Sequence, residues 1–486
     1  MDATFLPYFS FTTIHAFRAF FEIEISHCKP NTILYYCVSD ITHAIIQVGG
    51  GIGGLSVANS LANAGHEVTV LEAAAVPGEI GAGLQIAANV SRVLIRWGLS
   101  SKLKEVAELD KPQSVSIYRY ADGEMISSLQ AGEEEGEKRY GAPTYHLHRN
   151  DLYKMLYDLA KPRIMIRFAS RVTSVDPTDP SVVLQSGEKI TADIIIGADG
   201  IRSIVRDAVL GGPQKAKYTG DSAYRFLVPT DDMKSDPDLL SLINEPSLFV
   251  WAGPQKHLGA YGIRGQKIFN VAACVEDGDE EASYSWTAKG DTDKMRAEFS
   301  GWEPRVEKLL ALVKSPHVLK YKLMDCVPLK TWVHPHGHVV LLGDACHPML
   351  PYRAQGAAMA IEDAECLGRL FSHVTNRKQV PFLLRAYQDI RFERATHTQR
   401  VSSGARDVLH LADGPEQQLR DARMRAGVEV RTALSGGENV SAEKQLMVER
   451  AMRTREEEDD AQFGYDISQV TDKWWEENGS TILQLV

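Results

Sequence analysis

Residues 44–72, AIIQVGGGIGGLSVANSLANAGHEVTVLE, constrain what this chain can fold into more than any other stretch. A short apolar run at 44–48, broken by one glutamine, leads into Gly49, Gly51 and Gly54 at G-x-G-x-x-G spacing. Over 55–64, Leu55, Ala58, Leu61 and Ala62 recur at helical spacing, and Gly65 stands where a helix C-terminus takes a residue of positive φ. A second apolar run, 68–71, ends on Glu72. The pattern reads strand, tight turn, helix, strand. The glycines act separately. Gly49 permits the turn, Gly51 lets backbone approach a pyrophosphate, and Gly54 lets helix and strand pack closely. The helix N-terminus would offer N–H groups to the anion, and Glu72 stands where an acid can accept ribose hydroxyls. A glycine motif alone is common; the strand–turn–helix–strand–acid context specifies a dinucleotide site.

The rest of the chain narrows the class. The length suggests two or three domains. A net charge of -11 and a pI near 5.8 argue against a general nucleic-acid or anionic-membrane binder. No stretch approaches the roughly 20 apolar residues of a membrane span. The six cysteines (Cys28, Cys37, Cys274, Cys326, Cys346 and Cys366) form no C-x-x-C pair and no dense framework, which points to reduced thiols and a cytoplasmic protein. Residues 1–43 lack both a periodic apolar pattern and the basic start and apolar core of a signal peptide. They read as an extension ahead of the fold, or as a misassigned start.

Beyond Glu72, Gly81 and Gly83 flank Ala82 close to a predicted sheet, as where backbone lies against a ligand. A helix is expected over 89–97, ended by Gly98, and a hairpin from 114–120 and 125–129 around Ala121-Asp122-Gly123. Residues 130–139 read as an acidic surface loop. An amphipathic helix opens at His148-Arg149-Asn150-Asp151-Leu152, and short strands follow at 164–168, 171–175, 181–185 and 190–192. A fifth apolar run at 193–196 enters Gly197-Ala198-Asp199-Gly200. The stretch 218–274 has β character, with candidate strands at 224–228, 248–251, 258–263 and 268–274, and helices are expected at 294–299 and 305–313. It carries no nucleotide motif and suits a substrate-covering insertion. Strand 339–342 enters GDACHPMLPYRAQG, followed by helices at 357–370 and 381–403. Residues 443–460 are highly charged, as a solvated helix face is. His334, His336 and His338 alternate, but Pro335 and Gly337 break the strand and no acid or cysteine joins at ligand spacing, so no metal site is expected.

Taken together, G-x-G-x-x-G at Gly49, Gly-Ala-Asp-Gly at Gly197 and Gly-Asp-Ala-x-His-Pro at Gly343 resemble, in order and spacing, the class A flavoprotein monooxygenases, the p-hydroxybenzoate hydroxylase-like enzymes. The run GDACHPMLPYRAQGAAMAIEDAECLG is similar to the salicylate hydroxylase-like branch, its fungal members especially. So are AYRFLVP at Ala223, WAGPQKH at Trp251, GWEPRV at Gly301 and FGYD at Phe463.

The resemblance implies an α/β architecture: a Rossmann-like FAD-binding domain (44–217 and 326–403), an inserted β-sheet substrate domain (218–325) and a helical C-terminal region (404–486). It implies FAD as cofactor and NADH or NADPH as co-substrate, visiting without a Rossmann domain of its own. Glu72 would bond the adenosine ribose, Gly83 would bring backbone against the ribityl region, and Arg149, from the His-Arg-x-x-Leu pattern, would reach the FAD chain. Asp199 would touch FAD and assist NAD(P)H. Asp344 would accept a ribityl hydroxyl hydrogen bond, and Gly356 and Ala357 would aim helix N-terminal N–H groups at the flavin N1–C2 oxygen edge. His347 reads as a hydrogen-bonded loop histidine and Cys346 as packed. The implied activity is hydroxylation of a phenolic or related aromatic small molecule by O2 through a flavin C4a-hydroperoxide, in aromatic catabolism or polyketide secondary metabolism. Arg225 and Tyr261 are the candidate catalytic residues, resembling the arginine and tyrosine that fungal members place over the ring; His257 is a lesser candidate. The alternatives are an epoxidase or hydroxylase of a non-aromatic substrate on the same fold, and a dinucleotide-binding protein without redox chemistry.

Overall fold

The computed structural model of the protein describes residues 39, 41–78, 81–107, 114–130, 133–245, 247–278, 288–435 and 457–484. Cys28, Cys37 and the extension up to residue 38 lie outside them, as does most of the charged stretch 443–460.

Five parallel strands form the cofactor-side sheet, in the order Val339–Leu341, Ile194–Gly197, Ala44–Val48, Glu67–Leu71, Met165–Arg167. The two strands of the opening motif are thus neighbours, joined by the helix Ile52–Asn63, which starts three residues earlier than the apolar spacing suggests. A parallel sheet is covered on both faces, so its strands are buried along their length. Ile45, Ile46, Gln47 and Val48 are all buried. The glutamine that interrupts the apolar run serves the structure, because its Nε2 donates to the Gly49 carbonyl at 2.5 Å and braces the turn from below. On the other side, helix Gly356–Phe371 packs against Ile52–Asn63 so closely that a Cβ on Gly368 would stand 2.5 Å from Ser60 Cβ.

The second sheet has eight strands, ordered Lys289–Asp291, His317–Asp325, Lys217–Pro229, Ile268–Glu276, Lys256–Ile263, Ser247–Gly253, Ser114–Arg119 and Met125–Gln130. Strand residues alternate between faces, and the two faces here differ in kind. One carries Tyr224, Val228, Phe249, Trp251, Leu258, Phe269 and Val271, which form a core with helices Pro237–Asn244, Thr292–Glu298 and Pro304–Ala311. The other carries Arg225, Tyr261, Asn270, His257 and Tyr321; the register places Arg225 opposite Ala272 and Ala272 opposite Gly259, with Asn270 opposite Tyr261. The strand pair Gly83–Ile86 and Tyr145–His148 lies against that second face, with Gly83 touching Asn270 and Tyr261.

Several elements differ from the sequence expectation. Within 130–139, expected as a loop, Gln130 ends a strand and Glu133–Tyr140 is a helix whose last turn holds Lys138 and Arg139, where cations suit the helix dipole. Helix Pro237–Asn244 does not stand out by apolar spacing, although Asp236 and Pro237 announce it; the Asp236 carboxylate accepts from the Asp238 and Leu239 N–H groups. Strand His317–Asp325 is hidden in the sequence by its lysines, of which Lys320 lies over the Tyr224 ring at 5.2 Å. The strand at 224–228 is the middle of the longer Lys217–Pro229, and the helix at 381–403 runs on through Gly404 as Val380–Leu409. After it come helices Pro415–Ser435 and Ile467–Leu483. Among the described residues no helix is long and apolar enough to cross a membrane.

Candidate cofactor and substrate site

The glycine turn is built by close approach. Gly49 has φ +98°, and a Cβ there would stand 2.4 Å from the Ala198 carbonyl oxygen, so the first motif abuts the second. A Cβ on Gly54 would stand 2.0 Å from the Gly49 oxygen. Gly51 is the N-cap of helix Ile52–Asn63 with ordinary φ (-74°); no side chain caps the helix and its first turn holds no acid. Its N-terminal N–H groups are therefore left to an external anion. Beside them, Glu72 Oε2 accepts from the Gly50 N–H and Oε1 from the Ala74 N–H, each at 2.6 Å. A carboxylate has about four acceptor sites, so Glu72 keeps capacity for ribose hydroxyls while its position is fixed by backbone.

Asp199 lies in the second motif with Gly200 at φ +76°. Its Oδ2 accepts from Ile204 N–H at 2.8 Å and Val205 N–H at 3.3 Å, at the start of helix Ile204–Leu210. Its Oδ1 is buried without a protein partner, and burial raises the carboxyl pKa. Arg149 opens helix Arg149–Ala160, its N–H donating to the Ala82 carbonyl at 2.9 Å, and its guanidinium bears electrostatically on Tyr321.

The third motif is a loop between strand Val339–Leu341 and helix Gly356–Phe371. Gly343 (φ +62°) and Ala354 (φ +53°) take left-handed conformations within it, the latter a strained one for a residue with a Cβ. Asp344 is exposed beside the helix start, its Oδ1 3.9 Å from where a Cβ on Gly356 would be. That helix, too, has no side-chain cap and no acid in its first turn, so the N–H groups of Gly356 and Ala357 share its open N-terminus. Beneath the loop, His347 Nε2 bonds Asp363 at 2.7 Å, and Asp363 also accepts from the Gly343 N–H at 3.1 Å and from Arg391 Nε at 2.8 Å. Arg391 is fully buried and reaches Glu362 Oε2 at 2.6 Å. His347 is thus a hydrogen-bonded loop histidine. Cys346, His347 and Asp363 bring three possible ligand atoms together, but the guanidinium held on Asp363 opposes a cation there. Cys274, Cys326, Cys346 and Cys366 are free and buried.

Arg225 and Tyr261 share one face of the large sheet, and Arg225 lowers while burial raises the Tyr261 phenol pKa; burial wins, and the hydroxyl stays protonated. The Arg225 guanidinium lies 6.0 Å over the Tyr321 ring, and its Nε is buried without an acceptor. Asn270 escaped the sequence reading. Its Oδ1 accepts the Gly83 N–H at 2.6 Å and its Nδ2 is buried without a partner. The signal was present, since an asparagine interrupts the apolar run IFNVAAC as Gln47 interrupts its own. His146, whose ring lies 4.6 Å from that of Tyr261, is buried and neutral, its pKa lowered to about 3 by desolvation. Gly83 is packed on the Asn270 and Tyr261 side, with no room for a Cβ (2.6 Å to each side chain), so its strand sits in close contact with the large sheet.

These features fit an elongated dinucleotide flavin. An uncapped helix and an acid would serve one end and a second uncapped helix with an adjacent carboxylate the other, and Arg225 and Asn270 carry orphaned buried nitrogens on the sheet face against which the Gly83 strand lies.

The comparisons with known proteins agree. Residues 42–402 match the FAD binding domain family. The chain is 36% identical over 385 residues to an FAD-dependent monooxygenase of Beauveria bassiana, OpS4, covering 78% of this chain and 88% of that one. It is 35% identical over 367 residues to 6-hydroxynicotinate 3-monooxygenase of Bordetella bronchiseptica, covering 74% and 90%. Among solved structures, a salicylate hydroxylase substrate complex superposes with a TM-score of 0.66 at 25% identity, over 84% of this chain and 98% of that one.

Proposed function

The chain belongs to the FAD-dependent monooxygenases of the FAD binding domain family, and from that premise we propose that it hydroxylates a phenolic or related aromatic small molecule between its two sheets. The observation that carries the substrate class is the cluster of Arg225, Asn270 and Tyr261 on one sheet face: three hydrogen-bond donors, two of them with an orphaned buried nitrogen, while the buried carboxylate of that face, Asp221, is paired with Arg406. Such a set favours a ligand rich in acceptor oxygens, and an anionic one best. Names of relatives support the reading, since they include 3-amino-4-hydroxybenzoate 2-monooxygenase and 6-hydroxynicotinate 3-monooxygenase.

FAD, reduced by NADH or NADPH, supplies the oxygen-activating chemistry when bound. The protein's own contribution is binding and orientation. Gly51 and the helix behind it would receive the pyrophosphate, Glu72 the adenosine ribose, Arg149 the FAD chain and Asp344 the ribityl hydroxyls. Asp199, whose Oδ1 is buried without a protein partner, would meet the cofactor with it. The N–H groups of Gly356 and Ala357 would offer preorganised donors to negative charge on the bound flavin. Arg225 holds the substrate as its phenolate, and Tyr261, kept protonated by burial, donates to a substrate oxygen and orients the ring. Asn270 holds Gly83 with one end and offers Nδ2 to the substrate with the other. The cofactor domain comprises 44–217 and 326–403 and the substrate domain 218–325, except that the hairpin 114–130, expected with the cofactor domain, pairs into the substrate sheet and belongs there. The compartment is the cytoplasm.

The direct test is the visible absorption of the purified protein followed by a panel of phenols scored for stimulated NAD(P)H oxidation and oxygenated product. A protein that stays colourless with added FAD, or that oxygenates no aromatic compound, refutes the reading.

Two variants test the cofactor contacts. Glu72→Ala should weaken FAD binding about ten- to hundredfold, the loss of hydrogen bonds to a charged group worth roughly 1.5–3 kcal/mol; titration of apo-protein with FAD measures it, and unchanged affinity removes Glu72 from the site. Asp344→Ala should fold, because the side chain is exposed, yet purify largely colourless. Circular dichroism and flavin content are measured together, and stoichiometric FAD at wild-type affinity would take Asp344 out of the assignment.

A further inference from the structure

Arg225 and Tyr261 leave one role unfilled. Neither a guanidinium nor a phenol held protonated can take a proton from the substrate. On the same strand face as Tyr261, four residues earlier, stands His257. Between them is Gly259, where a Cβ would meet nothing nearer than the Ala272 carbonyl at 4.0 Å. His257 and Tyr261 are about 13 Å apart along the strand, so the hollow over Gly259 and Ala272 is wide enough for an aromatic ring between the two side chains.

Behind His257, three elements meet. Asp221, fully buried on the sheet, accepts from Arg406 Nε at 2.5 Å and Nη2 at 2.8 Å, and from the Tyr352 hydroxyl of the proline loop at 2.7 Å. His410, at the end of helix Val380–Leu409, places Nε2 2.7 Å from His257 Nδ1. Its Nδ1 is buried without a hydrogen-bond partner, 4.0 Å from Asp221 Oδ2. Among the described residues His257 Nε2 has no partner.

Burial lowers both histidines, His257 to about 3 and His410 to about 4, so both are neutral near pH 7. At His410 the Asp221 carboxylate outweighs Arg406, and Asp407 adds to the carboxylate; Tyr352 and Cys274, whose pKa values burial raises, bring no charge. Two neutral imidazoles joined by one hydrogen bond share a single proton, so the tautomer of one dictates that of the other. A lone pair on His410 Nδ1 would face the carboxylate, whereas an N–H there points its positive end at it. With the proton on Nδ1, His410 Nε2 accepts, His257 Nδ1 donates, and His257 Nε2 keeps its lone pair.

We infer that His257 Nε2 is the base for the substrate hydroxyl, and that Asp221 and His410 are positioning residues that hold it in the accepting tautomer. The inference rests on the hydroxylase reading above. In the step the substrate O–H bond breaks, its electron pair stays on oxygen as phenolate, and the N–H bond forms at His257 Nε2. The Nδ1 proton of His257 shifts to His410 Nε2, so the positive charge rests on His410 beside the Asp221 carboxylate. Solvent takes the proton after turnover.

The test is nitrogen NMR of [15N]histidine-labelled holoprotein, with His257 and His410 assigned by loss of their signals in His257→Gln and His410→Phe. The expected result is a protonated Nδ1 and an unprotonated Nε2 in both residues; an unprotonated Nδ1 in His257 overturns the inference. In His410→Phe, which removes the acceptor, His257 should populate both tautomers. His410→Gln, whose amide carbonyl can still accept, should restore the Nδ1–H form. An unchanged His257 pattern in His410→Phe refutes the role given to His410. With the most active phenol of the panel as probe, His257→Gln should slow turnover by about 10²–10⁴-fold at unchanged FAD content, and wild-type turnover overturns the assignment of the base. Failure of the hydroxylase reading would show differently: no flavin or no product, with the tautomer pattern intact.

Discussion

Replacing Arg391 with leucine should cost about 3–5 kcal/mol of folding stability, the loss expected when one partner leaves a buried ion pair. The side chain is 0% exposed and bridges Glu362 at 2.6 Å and Asp363 at 2.8 Å, both equally buried. Glu362 retains Arg394 and Asn89, but Asp363 would retain only His347 and the Gly343 N–H. A carboxylate buried with so little compensation must either stay charged at high cost or take a proton. Urea unfolding followed by circular dichroism measures the loss, and a cost below about 1 kcal/mol would put the network in the class of solvated surface pairs. The pH dependence has a definite sign. Burial alone would raise both carboxyls, yet Arg394 and Arg391 at Glu362, and His347 and Arg391 at Asp363, hold them below the ordinary range. A depressed folded-state pKa contributes stability that is present above the unfolded value of about 4 and is lost as pH falls through the folded one. The wild type should therefore lose this contribution only under acid, and Arg391→Leu should have lost much of it at neutral pH. Because Asp363 also holds Gly343 and His347, the variant should load less FAD as well.

Arg225→Met and Tyr261→Phe should separate cofactor binding from oxygen transfer. Neither residue lies in a cofactor motif, so flavin content and spectrum should match the wild type. Arg225→Met removes the cation from the donor face, and productive binding of a phenol should fall. Tyr261→Phe keeps the ring against His146 and deletes only the hydroxyl, so turnover should fall more than binding, within the 10²–10⁴-fold that one positioned proton-handling group contributes. In both, electrons drawn from NAD(P)H should emerge increasingly as hydrogen peroxide. The measurement is product formed per NAD(P)H consumed, with peroxide quantified. Wild-type coupling in both variants would reduce the pair to packing.

The parts of the molecule readable from sequence are those whose physics is local. Gly49, Gly54 and Gly65 announce a turn, a close approach and a helix end, and each has the geometry its position required. The strand 44–48 and the helix after 356 follow from apolar runs and proline-bounded loops. What was not legible depends on partners distant in the chain. Asn270 acquires meaning only when Gly83 is brought against it, 187 residues away, and Arg391 only when helix Val380–Leu409 lies beside Glu362 and Asp363. His410 stood in a region with no motif at all, and its contact with His257 spans 153 residues. Strand His317–Asp325 shows the same limit: its Lys320 gains meaning only from Tyr224, over whose ring it lies, and Asp277, which it pairs with, both distant in the chain.

The route of the chain through the large sheet has a consequence for how this protein can be divided. Strand Ser247–Gly253 takes as its parallel neighbour Ser114–Arg119, a hairpin strand contributed by chain that precedes most of the cofactor-side sheet's last strands. A fragment cut at 218–325 would therefore carry an open strand edge ending in Val250, Trp251 and Ala252, bare of the hydrogen bonds that Ile117 to Arg119 provide. Bare edges of that kind recruit other chains. The substrate half should aggregate when expressed alone, and it can be exchanged between relatives only together with the hairpin at 114–130.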